Sequence, residues 1–252
     1  MRHISILIFL ACFSLQSRSQ TVAKSIFAEY GYTNIPKESV GLYTTFGLTK
    51  YRVYADDKFL KFESYQDIPL EEANKIGPTL RSSFVKERST NEVYVCVAFD
   101  TLFIRMKAGE EERASFQQMT ETFNSGRKSV YAKGKKKIDI QGFTCNEIFV
   151  AGKYSDTISA FVSSQIILDP AIKDFPMYVG NEIAPYGLML GRNEVIKANM
   201  LELRAIKLEI NQPRDLSKEL MSCHLVTQQQ GEAMMKDLLT KMMRLPTITG
   251  KN

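Results

Sequence analysis

Glu92-Val93-Tyr94-Val95-Cys96-Val97-Ala98-Phe99, a single Asp100, then Thr101-Leu102-Phe103-Ile104-Arg105-Met106-Lys107 is the stretch that decides the fold. Its period is two. Val93, Val95, Val97 and Phe99 share one face, Tyr94, Cys96 and Ala98 share the other, and Leu102, Ile104 and Met106 line up in the second run. Asp100 marks the turn between two antiparallel strands. A strand that is apolar on both faces has to be covered on both sides, by another sheet or by helices.

Upstream, Tyr51–Ala55 and Lys58–Tyr65 flank Asp56-Asp57, whose short polar side chains suit a hairpin turn better than paired acid–base chemistry. A first strand is expected near Ser25–Tyr30, a weak one over Ser83–Ser89, and a turn or two of helix over Leu70–Lys75, ending at Gly77-Pro78. Downstream, Glu110-Glu111-Glu112 suits a helix N-terminus. Phe116, Met119 and Phe123 follow at i, i+3 and i+7, so a helix is predicted over residues 110–124 as one cover for the strands. Strands then return at Ser129–Ala132, Ile138–Ile140, Phe143–Val150, Thr157–Ser163 and Met200–Ile210, with Lys133-Gly134-Lys135-Lys136-Lys137 as a solvated turn. In the last strand Leu201 and Leu203 alternate out of phase with Ile206, Leu208 and Ile210, which predicts a bulge near Arg204–Ala205. The tail from Asp215 to Met243 carries Met234/Met235, Leu238/Leu239 and Met242/Met243 every four residues, between Pro213 and Pro246, and reads as one amphipathic helix. Such a stripe is either core or the lining of a lipid-accommodating cavity.

The pattern predicts a mainly β (α+β) protein. Its centre is a curved antiparallel sheet or incomplete barrel with a few helices packed on one side. Residues 1–20 read as a cleaved signal peptide, 21–212 as the β domain, and 213–252 as a C-terminal helix and tail. The signal reading rests on Arg2 and His3, the apolar run Ile4–Leu15 and the small polar Ser17-Arg18-Ser19-Gln20, with cleavage near Ser19 or Gln20. That run falls short of the roughly 20 residues that span a bilayer, and no later stretch approaches that length. A periplasmic or extracellular location is therefore expected. Cys12 lies inside the apolar run, and the residues after it continue that run, against a lipid anchor there.

Without residues 1–20, 232 of 252 residues remain, with 31 basic side chains (33 less Arg2 and Arg18) against 28 acidic ones. This thin positive balance is no footprint for nucleic acid, which needs a dense basic face. The mature chain keeps Cys96, Cys145 and Cys223, an odd set that permits at most one internal disulfide. No C-x-x-C, H-x-x-x-H, EF-hand, phosphate-loop or G-x-S-x-G pattern occurs, so no metal, cofactor or catalytic residues are assigned. His224 is the sole histidine beyond His3, and Ser-His or Cys-His chemistry would have to use it; as a helix neighbour of Cys223 it would point elsewhere. Glu147 shares a strand face with Phe143, Cys145 and Phe149, and is either a half-buried acid or an outward edge residue. The cluster Lys133–Lys137 is a solvated hairpin tip or a contact for anionic headgroups.

Three segments carry a family resemblance. Ile138-Asp139-Ile140-Gln141-Gly142-Phe143-Thr144-Cys145 resembles a K-I-x-G-[FY]-x-C strand entry. Thr157–Val162 resembles the strand that follows it, and Ile183-Ala184-Pro185-Tyr186-Gly187-Leu188-Met189-Leu190 resembles a P-G-L-[IV]-L turn and strand. Together they are similar to the GLPGLI and DUF4412 groups of secreted Bacteroidetes proteins, over about residues 130–210. Tyr186 separates the Pro and Gly that are adjacent in those groups, and the chain has no Trp. The resemblance implies a LolA/LolB-like fold, a curved sheet closed on its concave side by helices.

From these readings the expected function is non-catalytic binding of an apolar ligand, a lipid or a lipoprotein acyl chain, in the curved sheet. The lining expected is Val93, Val95, Val97, Phe143, Phe149, Ile158 and Met189, and burial there would contribute about 25 cal/mol per Å². The alternative is a structural or interaction module of a cell-envelope complex with a solid core, docking a partner through the C-terminal helix. An extracytoplasmic hydrolase is the third and least supported reading.

Overall fold

The computed structural model describes residues 20–34, 50–65, 81–99, 102–124, 130–151, 157–180, 186–196 and 199–244. The expected signal segment, the helix expected over Leu70–Lys75, the turn expected at Asp100 and the side chain of Phe99 lie outside the described residues.

The chain is mainly β. In order, its strands are β1 (Thr21–Ala23), β2 (Ile26–Tyr32), β3 (Lys50–Ala55), β4 (Phe59–Tyr65), β5 (Arg81–Glu87), β6 (Glu92–Phe99) and β7 (Leu102–Lys107), then β8 (Val130–Ile140), β9 (Phe143–Ala151), β10 (Thr157–Ser163), β11 (Ile166–Leu168), β12 (Tyr178–Val179), β13 (Gly187–Ile196), β14 (Asn199–Ile210) and β15 (His224–Val226). Helices are α1 (Glu110–Asn124), α2 (Leu216–Ser222) and α3 (Gln228–Arg244). One sheet of 13 strands runs β15-β7-β6-β5-β4-β3-β2-β14-β13-β10-β9-β8, with β12 added on β13, and it does not close on itself. Its pairs are antiparallel except β15 with β7. A separate parallel pair joins β1 to β11.

The alternation read from β6 governs its neighbours. Ile26, Ala28 and Tyr30 of β2, Val53 and Ala55 of β3 and Leu60 and Phe62 of β4 point to one face and enter the main core. This core face is covered by the chain itself. α1 supplies Phe116, whose ring lies 5.7 Å from that of Phe84. The segment Ile166–Val179 supplies Ile166, Leu168, Ile172, Phe175, Met177 and Val179, all at most 1% exposed. The Tyr30 hydroxyl crosses this core to donate to the Met189 carbonyl at 2.9 Å, which satisfies a buried polar group.

The opposite, polar face holds a smaller apolar cluster. Phe27, Tyr54, Phe59 and Val85 meet Leu216 and Leu220 of α2. The Asp56 carboxylate closes the β3–β4 turn by accepting the N–H groups of Lys58 and Phe59 at 2.9 and 2.6 Å.

The tail departs from the single helix expected over Asp215–Met243. α2 begins on the Asp215 cap, which accepts from the Lys218 N–H at 3.0 Å, and ends at Cys223 in extended backbone. His224–Val226 then joins the open edge of β7, and α3 lies across the core face of that edge, Met234 against Val97, Ile104 and Met106. An edge strand presents unpaired backbone groups, and here they outweigh local helical preference. Gly231 permits the close approach, since a Cβ there would meet the Met106 sulfur at 2.7 Å.

Two further differences concern the β8–β9 hairpin. Its turn is Gln141-Gly142, both at positive φ (52° and 78°), the geometry of a tight two-residue hairpin. Lys133–Lys137 is not the tip; it is a register shift inside edge strand β8, where lysines discourage pairing with another chain. The bulge in β14 falls between Ala205 and Lys207, one residue past the predicted place. The extra residue is Ile206, and Gln141 Nε2 donates to its carbonyl at 3.0 Å.

Candidate functional site

Cross-strand register sets seven residues of the polar face in one row. Lys207 of β14 faces Glu29, Glu29 faces Arg52, and Arg52 faces Glu63. Glu63 then faces Ser83, Ser83 faces Cys96, and Cys96 faces Arg105. Directly paired side chains stand about 5 Å apart, so four adjacent strands alternate in charge. Arg52 donates to Glu29 at 2.9 Å and lies 3.8 Å from Glu63. Lys61, one turn of the alternation along β4, lies 3.6 Å from Glu63 and also pairs with Glu219 of α2. At the β14 end, Lys207 and Arg214 both reach Glu209 at 2.7 Å. These two hydrogen bonds hold the Glu209 carboxyl below its ordinary range, Arg214 contributing most. The Arg214 guanidinium also stacks 3.6 Å over the Phe27 ring.

α2 stands over this row and leaves a cleft of about 440 Å³ between itself and the sheet. Its wall holds five cations (Arg52, Lys61, Arg81, Lys207, Arg214) against three carboxylates (Glu29, Glu63, Glu219). Its floor at the β5–β7 end is made of small side chains, Ser83, Cys96 and Ala98, with Phe103 at the rim, 46% exposed. Tyr54 sits deeper. Its hydroxyl donates to Asp56 Oδ2 at 2.9 Å and accepts the Arg214 N–H at 2.9 Å, and burial, with the Asp56 charge beside it, pushes its pKa up to about 12.

Burial pushes the Cys96 thiol up to about 12 and raises that of Cys223, so both stay protonated at neutral pH and neither is an activated nucleophile. Among the described residues Cys96, Cys145 and Cys223 are all free. His224 is exposed on β15, not on a helix as expected. Among the described residues no group of three or more His, Cys, Asp or Glu side chains is placed to hold a metal ion, and no helix is long and apolar enough to cross a membrane.

The seven residues expected to line an apolar site are dispersed. Val93 and Met189 are buried in the main core, and Val95, Phe143 and Ile158 are half-buried against it. Phe149 is half-buried on β9. Val97 belongs to the edge cluster under α3 and also borders the polar cleft. Glu147 is buried: it accepts from the Ser159 hydroxyl at 2.8 Å and from the Lys136 N–H at 3.2 Å. The β8 bulge folds over it, and a Cβ on Gly134 would fall 2.2 Å from its carboxylate.

The charged row escaped the sequence reading. Its only local signal is the charged residue between apolar ones in each strand, Glu29 between Ala28 and Tyr30, or Arg52 between Tyr51 and Val53. Alternation shows that these face outward, and register alone shows that they face one another.

No protein-family model matches the chain, and no curated protein matches it. Among solved structures it is similar to PNGF-II in its C2 crystal form, with 11% identity, a TM-score of 0.39, and 87% of this chain and 33% of that one covered. The P21 form gives 11%, 0.37, 84% and 33%. The chain thus spans about a third of the length of PNGF-II, and at this likeness PNGF-II lends it neither activity nor residues.

Proposed function

We propose that this protein is a non-catalytic, exported interaction module of the cell envelope, with a solid core and a polar binding face. The observation that carries this reading is the occupancy of the core face. Ile166–Val179 fills the place where a lipid-carrying sheet would keep an apolar cavity. Close-packed interiors have no room for a further chain unless the filler leaves. The cleft between α2 and the sheet is lined instead by paired charges, which suits a polar or charged partner. Export rests on the basic start, short apolar run and small polar residues at the N-terminus.

Solvent extraction of the purified native protein followed by mass spectrometry tests the reading. No acyl lipid is expected near one per chain, and a fluorescent fatty acid is expected not to bind saturably. Stoichiometric lipid would overturn the solid-core module in favour of an apolar-ligand carrier.

A further inference from the structure

The charges of the polar cleft do not balance, and the imbalance is local. Glu29 and Glu63 are used by Arg52 and Lys61, Glu219 by Lys61, and Glu209 by Lys207 and Arg214. Two cations of this face are left without a carboxylate among the described residues, Arg81 and Arg105. Arg81 is exposed at the start of β5 and lines the cleft. Arg105 is half-buried on β7 just beyond the cleft's lining, next to Cys96, its Nε buried without an acceptor and its guanidinium 5.7 Å from the Tyr94 ring centroid. Both flank the place where the alternating row stops. After Lys207, Glu29, Arg52 and Glu63, the next two positions hold the small neutral Ser83 and Cys96, and the row then ends on Arg105. Arg81 stands two residues before Ser83 on β5, so its side chain shares that face. Beside it Arg81 pairs with Ala98, and Ala98 with Phe103.

We infer that the β5–β7 end of this cleft is a subsite for a carboxylate, which completes the charge row over the floor of Ser83, Cys96 and Ala98 between Arg81 and Arg105. Guanidinium groups present planar donor forks that match a carboxylate. The small floor residues leave room for it, and exposed Phe103 offers an apolar surface to whatever carries it. The proposal rests on the non-catalytic module reading, and it names the chemistry by which that module holds its partner. An acidic peptide segment and a small free carboxylate share this chemistry.

Calorimetric titration of the purified full chain separates the sources and tests the site. Triglutamate is the peptide probe, glutarate the small one, with triglutamine and inorganic phosphate alongside. Saturable binding of triglutamate that weakens with added salt is expected, with none for triglutamine. Arg105→Gln is expected to weaken it roughly tenfold, as loss of a charged hydrogen bond does, and the exposed Arg81→Gln roughly threefold. Equal affinity for glutarate assigns the site to free carboxylates, and a preference for triglutamate assigns it to an acidic segment; either supports the subsite. Thermal melting supplies a second measurement. Arg105→Gln removes a half-buried charge that lacks a counter-charge, so its melting temperature should not fall while its binding does. Absence of saturable binding by both carboxylate probes, unchanged affinity in both variants, or tighter binding of phosphate would overturn the subsite. Lipid extraction reports on the module reading independently of these titrations.

Discussion

The two faces of the sheet meet water in different ways. On the core face the chain returns to cover its own strands, with Ile166, Leu168, Ile172, Phe175 and Met177 essentially out of contact with solvent. On the polar face the only cover described over the β2–β5 strands is α2, seven residues long, which buries Leu216 and Leu220 and leaves a cleft beside them. Non-directional apolar burial holds the first face, and a row of cross-strand ion pairs organises the second. Apolar packing leaves no vacancy, because a void forfeits its contacts. A charge row tolerates a gap, because water serves as the missing partner. Stability should therefore be concentrated on the core face and ligand selectivity on the polar one.

The largest effect should come from removing residues 215–252. The truncation strips Leu216 and Leu220 from one face and Met234 from the other, and uncovers the β7 edge. Loss of cooperative unfolding by circular dichroism is expected. A truncated chain that still melted cooperatively would make the tail a detachable docking arm and erase the contrast. Next, Phe175→Ala should lower stability by about 3–5 kcal/mol in a denaturant titration, the cost of a large cavity in a packed core. A loss below about 1 kcal/mol would show that the filling segment is expendable, and would restore the case for an apolar cavity.

Gly134→Ala sharpens the comparison from the far edge of the sheet. The new methyl collides with the buried, hydrogen-bonded Glu147 carboxylate, and overpacking of this kind costs about 1–3 kcal/mol. Tyr54→Phe acts on the polar face. It deletes the hydroxyl that donates to Asp56 and accepts from Arg214, worth about 1 kcal/mol at neutral pH. It should also flatten the alkaline limb. The folded pKa of Tyr54 is raised, so its contribution is complete below the ordinary tyrosine value of 10.0 and is lost as pH climbs toward about 12. Melting temperatures from pH 9 to 12 check this, and parallel curves for variant and wild type would contradict it. The smallest effect belongs to Glu209→Gln. Its folded pKa is depressed, so its contribution is present above the ordinary carboxylate range and disappears as pH falls through the lowered value. The variant should lose slightly less melting temperature than wild type between pH 6 and pH 3.

Much of this contrast is legible in the residues. The alternation in Glu92–Phe99 and Leu102–Lys107 announces strands needing cover on both sides, and helices on opposite faces supply it. Phe116 and Met119 at helical spacing announce α1. The phase change along 200–210 announces the β14 bulge within one residue. The candidate site is far less legible. Valines of one strand face read equally well as ligand lining or as core, because both environments select the same apolar alternation. The structure places Val93 in the core and Val97 at the edge cluster. His224–Val226 was hidden because three residues between two helical patterns carry too little periodicity to outweigh their surroundings.

By itself, then, the order of residues determined which segments are extended, which face of each strand is apolar, and where a helix must cover them. These properties depend on neighbours two to four positions away along the chain. Only the tertiary structure decided that Lys207 stands against Glu29, that Ser83 and Cys96 interrupt the charge row before Arg105, that the tail supplies an edge strand, and that Ile166–Val179 fills the core face. Each of those pairings joins residues distant in sequence. It is settled by the register that buries the most apolar surface over the whole sheet, a quantity to which every strand contributes and which none encodes alone.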